Sequence, residues 1–131
     1  RIASTVLNEQ KKNMSKKNKV NMMKRMVDIS ENFKNALLNE DIKLSGEFLN
    51  HNWELKKQMA SNISNNNIEL MYKEALKKGA IGGKLLGAGG SGFLLIMAFD
   101  HKPIQNSLNC KSVSFKTDYL GSTSITTEDL N

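Results

Sequence analysis

Gly87-Ala88-Gly89-Gly90-Ser91-Gly92, with Lys84 just ahead of it, is the stretch of this chain most suited to chemistry. Glycine lacks the Cβ that forbids positive φ, and it lets a second backbone or a phosphate come into van der Waals contact with the loop. Four glycines in these six residues exceed what a simple turn requires and imply the close approach of another group. The run fits G-x-G-x-x-G, but a dinucleotide fold needs that turn to open a helix whose N-terminus faces the pyrophosphate. Here it opens Phe93-Leu94-Leu95-Ile96-Met97, which reads as a strand, so the dinucleotide assignment is set aside. A Walker A loop fails as well, because Gly83-Lys84 is followed by Leu85 and Lys78 stands where the first glycine belongs. Lys84 can meet a phosphate as a point charge, or it can merely flank the strand in solvent.

The elements that must position these residues follow from periodicity. Gly79–Ala98 holds seven of the nine glycines. Its arms, Ile81–Leu86 and Phe93–Ala98, are apolar runs of strand length, so the stretch predicts a hairpin with a bare tip. Upstream, Val20, Met23, Val27, Ser30, Phe33 and Leu37 recur at helical steps, predicting a helix from about Ser15, a plausible N-cap, to Leu38. The methionines Met22, Met23 and Met26 read as adaptable core or groove filling. A second helix is expected from Asp41 to about Ala60, burying Ile42, Leu49, Trp53 and Met59, with Gly46 permitting close helix packing. The short Asn39-Glu40 link makes the two helices antiparallel neighbours. His51, Trp53 and Lys56 lie in the second helix as candidate substrate contacts, although a lone His beside a Trp is more often structural.

Asn66 and Glu69 form a capping-box variant opening a third helix that turns Ile68, Tyr72, Ala75 and Leu76 inward and stops at Gly79. Pro103 suits the first residue of a short helix ending near Leu108. Alternation over Ser112–Lys116 predicts a third strand, and Gly121–Thr126 a possible edge strand. Helices segregated from three or four strands make an α+β fold with an antiparallel sheet. Arg1–Gln10 carries no capping or turn signal.

Gly79–Phe93, with Ala80, Gly82-Gly83-Lys84, Leu86-Gly87-Ala88-Gly89-Gly90 and Gly92, resembles the third sequence motif of the GHMP small-molecule kinases. GGKLLGAGGSGFLL is most similar to their D-glycero-D-manno-heptose 7-phosphate kinase branch, as is Leu49–Lys57 followed by Ile63-Ser64-Asn65. Ser91 departs from the glycine usual there. The resemblance implies that residues 1–131 are a C-terminal domain, a ferredoxin-like variant with helices packed on one face of the sheet. It implies a sugar kinase using ATP and Mg2+, with the phosphate-cradling loop and the catalytic Asp and Lys on an N-terminal domain and no catalytic residue here. Gly87, Ala88, Gly89, Gly90, Ser91 and Gly92 would brace that loop from the far side of the cleft. Arg1 and Ser4 would line a pocket for an anionic substrate unless they are a cut end in solvent, and Trp53 and Lys56 would look toward the sugar phosphate. The first strand would lie upstream, leaving a sheet edge through which a homodimer could form.

Composition is compatible with this reading. The chain has 131 residues, enough for one domain with a real core, and ordinary hydrophobic content. It contains no run long enough to cross a bilayer and no signal peptide, and its single cysteine, Cys110, fits a reducing cytoplasm. The net charge of +6 is concentrated at the start, where the first 25 residues hold eight Lys or Arg and Glu9 as the one acid. Such a stripe can attract phosphates, nucleic acid or an anionic surface, or be a solvated helix entrance. Nucleic acid is disfavoured because no aromatic residue precedes Phe33 to stack on bases. The alternative to a kinase lobe is a stand-alone α+β module for a small anion or metabolite, sharing the bare hairpin and the basic start.

Overall fold

The computed structural model describes residues 2–14, 17–108 and 110–116. Four helices, α1 (Ile2–Asn13), α2 (Lys17–Leu38), α3 (Ile42–Lys57) and α4 (Asn66–Lys77), precede the strands β1 (Ala80–Leu85) and β2 (Leu94–Ala98) and a short α5 (Lys102–Ser107). The segregated order is the α+β arrangement expected. The sheet has two antiparallel strands among the described residues, paired from Ala80↔Ala98 to Leu85↔Leu94. Ser112–Lys116 is not a strand; Val113 and Phe115 are 58% and 75% exposed. Alternation alone does not make a strand without a ladder partner and a face to bury. The proposed N-cap Ser15 and the expected strand Gly121–Thr126 lie outside the described residues.

The centre of the fold is α3, which packs against α2 on one side and both strands on the other. Its N-terminus is fixed by Asp41, whose Oδ1 accepts from the Leu44 amide at 2.9 Å. The preceding turn reverses the chain as the short link predicts. The Asp41 and Glu40 amides donate back to the carbonyls of Ala36 and Leu37, with Glu40 at φ +57°. This is a Schellman closure with glutamate where glycine is usual.

Gly46 does pack closely, but against a strand rather than a helix. A Cβ there would lie 2.6 Å from Ile81 Cγ2, and one on Gly82 would lie 1.8 Å from the Gly46 carbonyl oxygen. The backbones of α3 and β1 therefore touch. A register shift between Ala80 and Gly82 gives β1 one extra residue, Ile81, the bulge residue whose side chain covers Gly46.

The principal core joins Val6 of α1, Trp53 and Met59 near the end of α3, Ile63, Tyr72 of α4 and Leu85 of β1. Two expectations about faces are corrected. On α2 the packed positions are Met22, Met26, Ile29, Phe33 and Ala36, while Val20, Met23, Val27 and Leu37 are 38% to 60% exposed. The predicted stripe shares Phe33 and is otherwise displaced by about one residue, roughly 100° around a helix. On α4, Leu76 is 38% exposed because Ala75 occupies the inward position. The start of the chain, given no element from its sequence, is helix α1, docked through Val6, through Glu9, which accepts from the Ser61 amide and hydroxyl, and through Asn13 on the Met59 carbonyl.

Candidate functional site

The hairpin stem continues past the strands through the Leu86 amide, which donates to the Phe93 carbonyl at 2.9 Å. Beyond it, Gly87, Gly89, Gly90 and Gly92 all adopt positive φ, so the tip's excess of glycine is first a requirement of its own backbone. One flank of the tip rests on this chain. The Gly90 amide donates to the Ile63 carbonyl at 2.9 Å, and a Cβ on Gly89 would fall 2.7 Å from Ile63 Cα. Asn65 ties the tip to α4, because its Oδ1 accepts from the Ile68 amide as helix cap while its Nδ2 donates to the Gly90 carbonyl at 2.9 Å. The capping residue is thus Asn65, one position before the predicted Asn66. The close approach inferred from sequence is supplied on this flank by Ile63.

The other flank is open. A Cβ on Gly87 would meet nothing within 4 Å, and Gly87, Ser91 and Gly92 are exposed, with Ala88 half-buried. Leu86 and Phe93, at the neck of the tip, are 42% and 66% exposed.

Two lysines stand at the root of the loop. Lys56, on α3, donates from Nζ to the Gly87 carbonyl at 2.5 Å and to the Leu85 carbonyl at 3.3 Å. Lys84, on β1, donates to Asn52 Oδ1 at 2.8 Å, and Asn52 in turn donates to the Met26 carbonyl at 3.2 Å. Both are half-buried, and the oxygens they donate to are neutral. Burial holds the Lys56 ammonium below the ordinary lysine range, with the charge of Lys84 adding to the effect, and burial does the same to Lys84. Such cations are incompletely solvated and would gain from an anion.

Lys57, the next residue, is held differently. Its ammonium lies 2.9 Å from Glu54 and 3.2 Å from Glu69, and Ser64 Oγ donates to Glu69 at 2.5 Å. Burial works against the charge on Lys57, but the two carboxylates outweigh it and raise its pKa; burial likewise works against Glu69, whose pKa the Ser64 and Lys57 hydrogen bonds lower. Tyr72 donates to Asn50 Oδ1 at 2.7 Å, and burial, partly offset by the Gly83 amide, pushes its hydroxyl up to about 12.

Of the residues singled out from sequence, Lys56 and Lys84 converge at the loop root. Trp53 is wholly enclosed in the core and presents no surface to a ligand, so its part is packing. His51 is exposed on α3, Ser4 is exposed on α1, and Arg1 lies outside the described residues. Asn52 and Asn65, which complete the site, were not singled out. Their signal was present in position: Asn52 sits one turn before Lys56 on α3, and Asn65 stands directly before a helix.

Comparison with known proteins bears on the family and the fold. The family model of the GHMP kinases C terminal matches residues 33–111, more than half of the chain. Over 61 residues the chain is 38% identical to D-glycero-alpha-D-manno-heptose 7-phosphate kinase of Campylobacter jejuni, covering 47% of this chain and 18% of that protein. Over 81 residues it is 30% identical to bifunctional fucokinase/GDP-fucose pyrophosphorylase of Arabidopsis thaliana, covering 62% of this chain and 8% of that one. The chain thus spans less than a fifth of the length of these curated relatives. Its fold resembles that of L. major mevalonate kinase, crystallised with R-mevalonate, with a TM-score of 0.67 and 24% identity over 79% of this chain and 33% of that chain. The match over residues 33–111, on a helix-braced glycine hairpin of this shape, means that the chain belongs to the GHMP kinases, as their C-terminal domain.

Proposed function

We propose that this chain is the C-terminal lobe of an ATP-dependent kinase for a sugar phosphate, D-glycero-D-manno-heptose 7-phosphate or a related sugar. The open flank of the hairpin tip carries the reading: Gly87 leaves space where any other residue would project, beside exposed Leu86 and Phe93. That flank would lie against the phosphate-holding loop of an N-terminal kinase domain, braced by backbone contact from Gly87, Ala88 and Ser91 to Gly92, while Gly89 and Gly90 hold the tip to Ile63. Lys84 and Lys56 would supply positive potential beneath it. Phosphoryl transfer depends on positioning and charge stabilisation more than on covalent help from the protein, so a rigid brace contributes to it. The reading assigns Mg2+ to the N-terminal domain, as the family resemblance implies. The similarity to the Campylobacter jejuni heptose 7-phosphate kinase supports the choice of substrate.

The test is a coupled ATPase assay of this chain joined to its N-terminal domain, with the heptose 7-phosphate as acceptor. Turnover is expected in the joined protein and none in the 131-residue chain alone. Gly87→Ala in the joined protein should raise the KM for ATP about tenfold, and an unchanged KM would remove the bracing role. The uncompensated Lys56 and Lys84 favour one other reading, a stand-alone anion module. Calorimetric binding of pyrophosphate to the isolated chain at micromolar concentration would select it.

A further inference from the structure

A concavity lined in part by Lys56 lies between α1, α2 and the end of α3. It is a cleft of about 460 Å³ whose walls include Met14, Met23, Met26 and Met59, with Lys11 and Lys56 as its charged members. That volume is in the range of small-molecule sites. The methionine thioethers are unbranched and polarizable, so the wall can remould itself around a hydrocarbon of irregular shape. Leu7 and Gln10 complete the lining, which contains no acid among the described residues. Leu7, Met14 and Met23 remain 53%, 42% and 38% exposed, so apolar surface stands open to an occupant. The charge of the walls selects an anion. Lys56 spends two hydrogen bonds on the loop carbonyls of Gly87 and Leu85, and an ammonium group has three N–H donors.

We propose that this methionine-lined cleft binds a small amphiphilic anion, a hydrocarbon body bearing one carboxylate or phosphate, with the body against Met14, Met23, Met26 and Met59 and the headgroup on Lys11 and Lys56. The site shares Lys56 with the root of the glycine loop but stands whether or not the bracing role holds. Its ligand would share Lys56 with the Gly87 carbonyl, so occupancy would be felt at the glycine loop.

The experiment is a titration of the 131-residue chain, carrying 13C-methyl methionine, with decanoate, decyl phosphate and decanol below their aggregation limits. The methyls of Met14, Met23, Met26 and Met59 should shift with either anion, while those of Met71 on α4 and Met97 on β2 stay in place. The relative strength of the two anions identifies the headgroup. Decanol should bind at least about fivefold more weakly, and Lys11→Gln and Lys56→Gln should each weaken the anions by about that factor without weakening decanol. Lys11 is exposed, so its replacement tests the headgroup contact even if Lys56→Gln disturbs the loop. Unmoved cleft methyls at millimolar ligand, equal binding of decanol and decanoate, or anion affinity indifferent to Lys11→Gln would each overturn the proposal. So would movement of all seven methionine methyls together, the signature of detergent-like unfolding.

Discussion

Gly82 and Gly87 belong to one glycine-rich hairpin and serve opposite ends. At Gly82 the missing Cβ is replaced by the backbone of α3, with the Gly46 carbonyl oxygen 1.8 Å from where that carbon would stand. At Gly87 the missing Cβ leaves empty space. The stem uses glycine to fuse a strand to a helix, whereas the tip uses it to shape a loop and keep one flank bare. The neighbouring lysines divide the same way: Lys57 is neutralised by Glu54 and Glu69 within the fold, and Lys56 and Lys84 keep their charge for something else. Glycine content or lysine content alone distinguishes neither pair. What separates structural from available residues is whether the chain has already supplied the partner.

The largest effect should come from Gly82→Ala. Its Cβ meets backbone that cannot rotate away, so α3 and β1 must separate, and a loss of about 3 kcal/mol or more is expected in urea unfolding. A near-neutral result would mean that the crossing yields easily and that the contrast with Gly87 is false. Gly89→Ala comes next, at about 2 kcal/mol, because φ +120° and the Ile63 backbone both oppose a side chain. Gly87→Ala should cost only about 1 kcal/mol, the strain of φ +84° without a clash, with thermal unfolding as the readout.

The lysines sharpen the comparison through pH. Lys57→Met should lose about 1 kcal/mol near neutral pH by breaking the pairs with Glu54 and Glu69. In the parent chain the raised Lys57 contributes stability below 10.5 that is lost as pH climbs through its folded value. The lowered Glu69 contributes above 4.5, and that share is lost as pH falls through its folded value. Lys56 and Lys84 have the opposite sign to Lys57. Their folded pKa values lie below 10.5, so the unfolded chain holds more protons in that window and stability rises with pH across it. Denaturation midpoints should therefore lose a rising slope just below pH 10.5 in Lys84→Met and a falling slope above 10.5 in Lys57→Met. The smallest effect is a gain: Glu40→Gly should stabilise the chain by about 0.5 to 1 kcal/mol by relieving the positive φ of the α2–α3 turn, seen as a raised Tm.

Residues carrying strong local signals were legible from the sequence. The α2–α3 reversal at Asn39-Glu40, the end of α4 before Gly79, Pro103 near the start of α5 and both hairpin arms were all readable from caps, breakers and period. The face of α2 was not. Val20, Met23 and Val27 make as regular a stripe as Met22, Met26 and Ile29, and α3 decides between them by packing against only one. Ser112–Lys116 alternates as a strand should but has no ladder to join. Trp53 and His51 are two residues apart, about 200° around a helix, and so point to different sides of it, which is why the indole is enclosed and the imidazole exposed.

The sequence by itself determined where the backbone must bend, where it must coil and how many positions must lack a side chain, since these are properties of a residue and its near neighbours. The tertiary structure decided which glycine is filled and which is open, and which ammonium is paired and which waits. Those outcomes depend on desolvation and contact between segments far apart in the chain, such as Lys84 with Asn52 and Gly90 with Ile63.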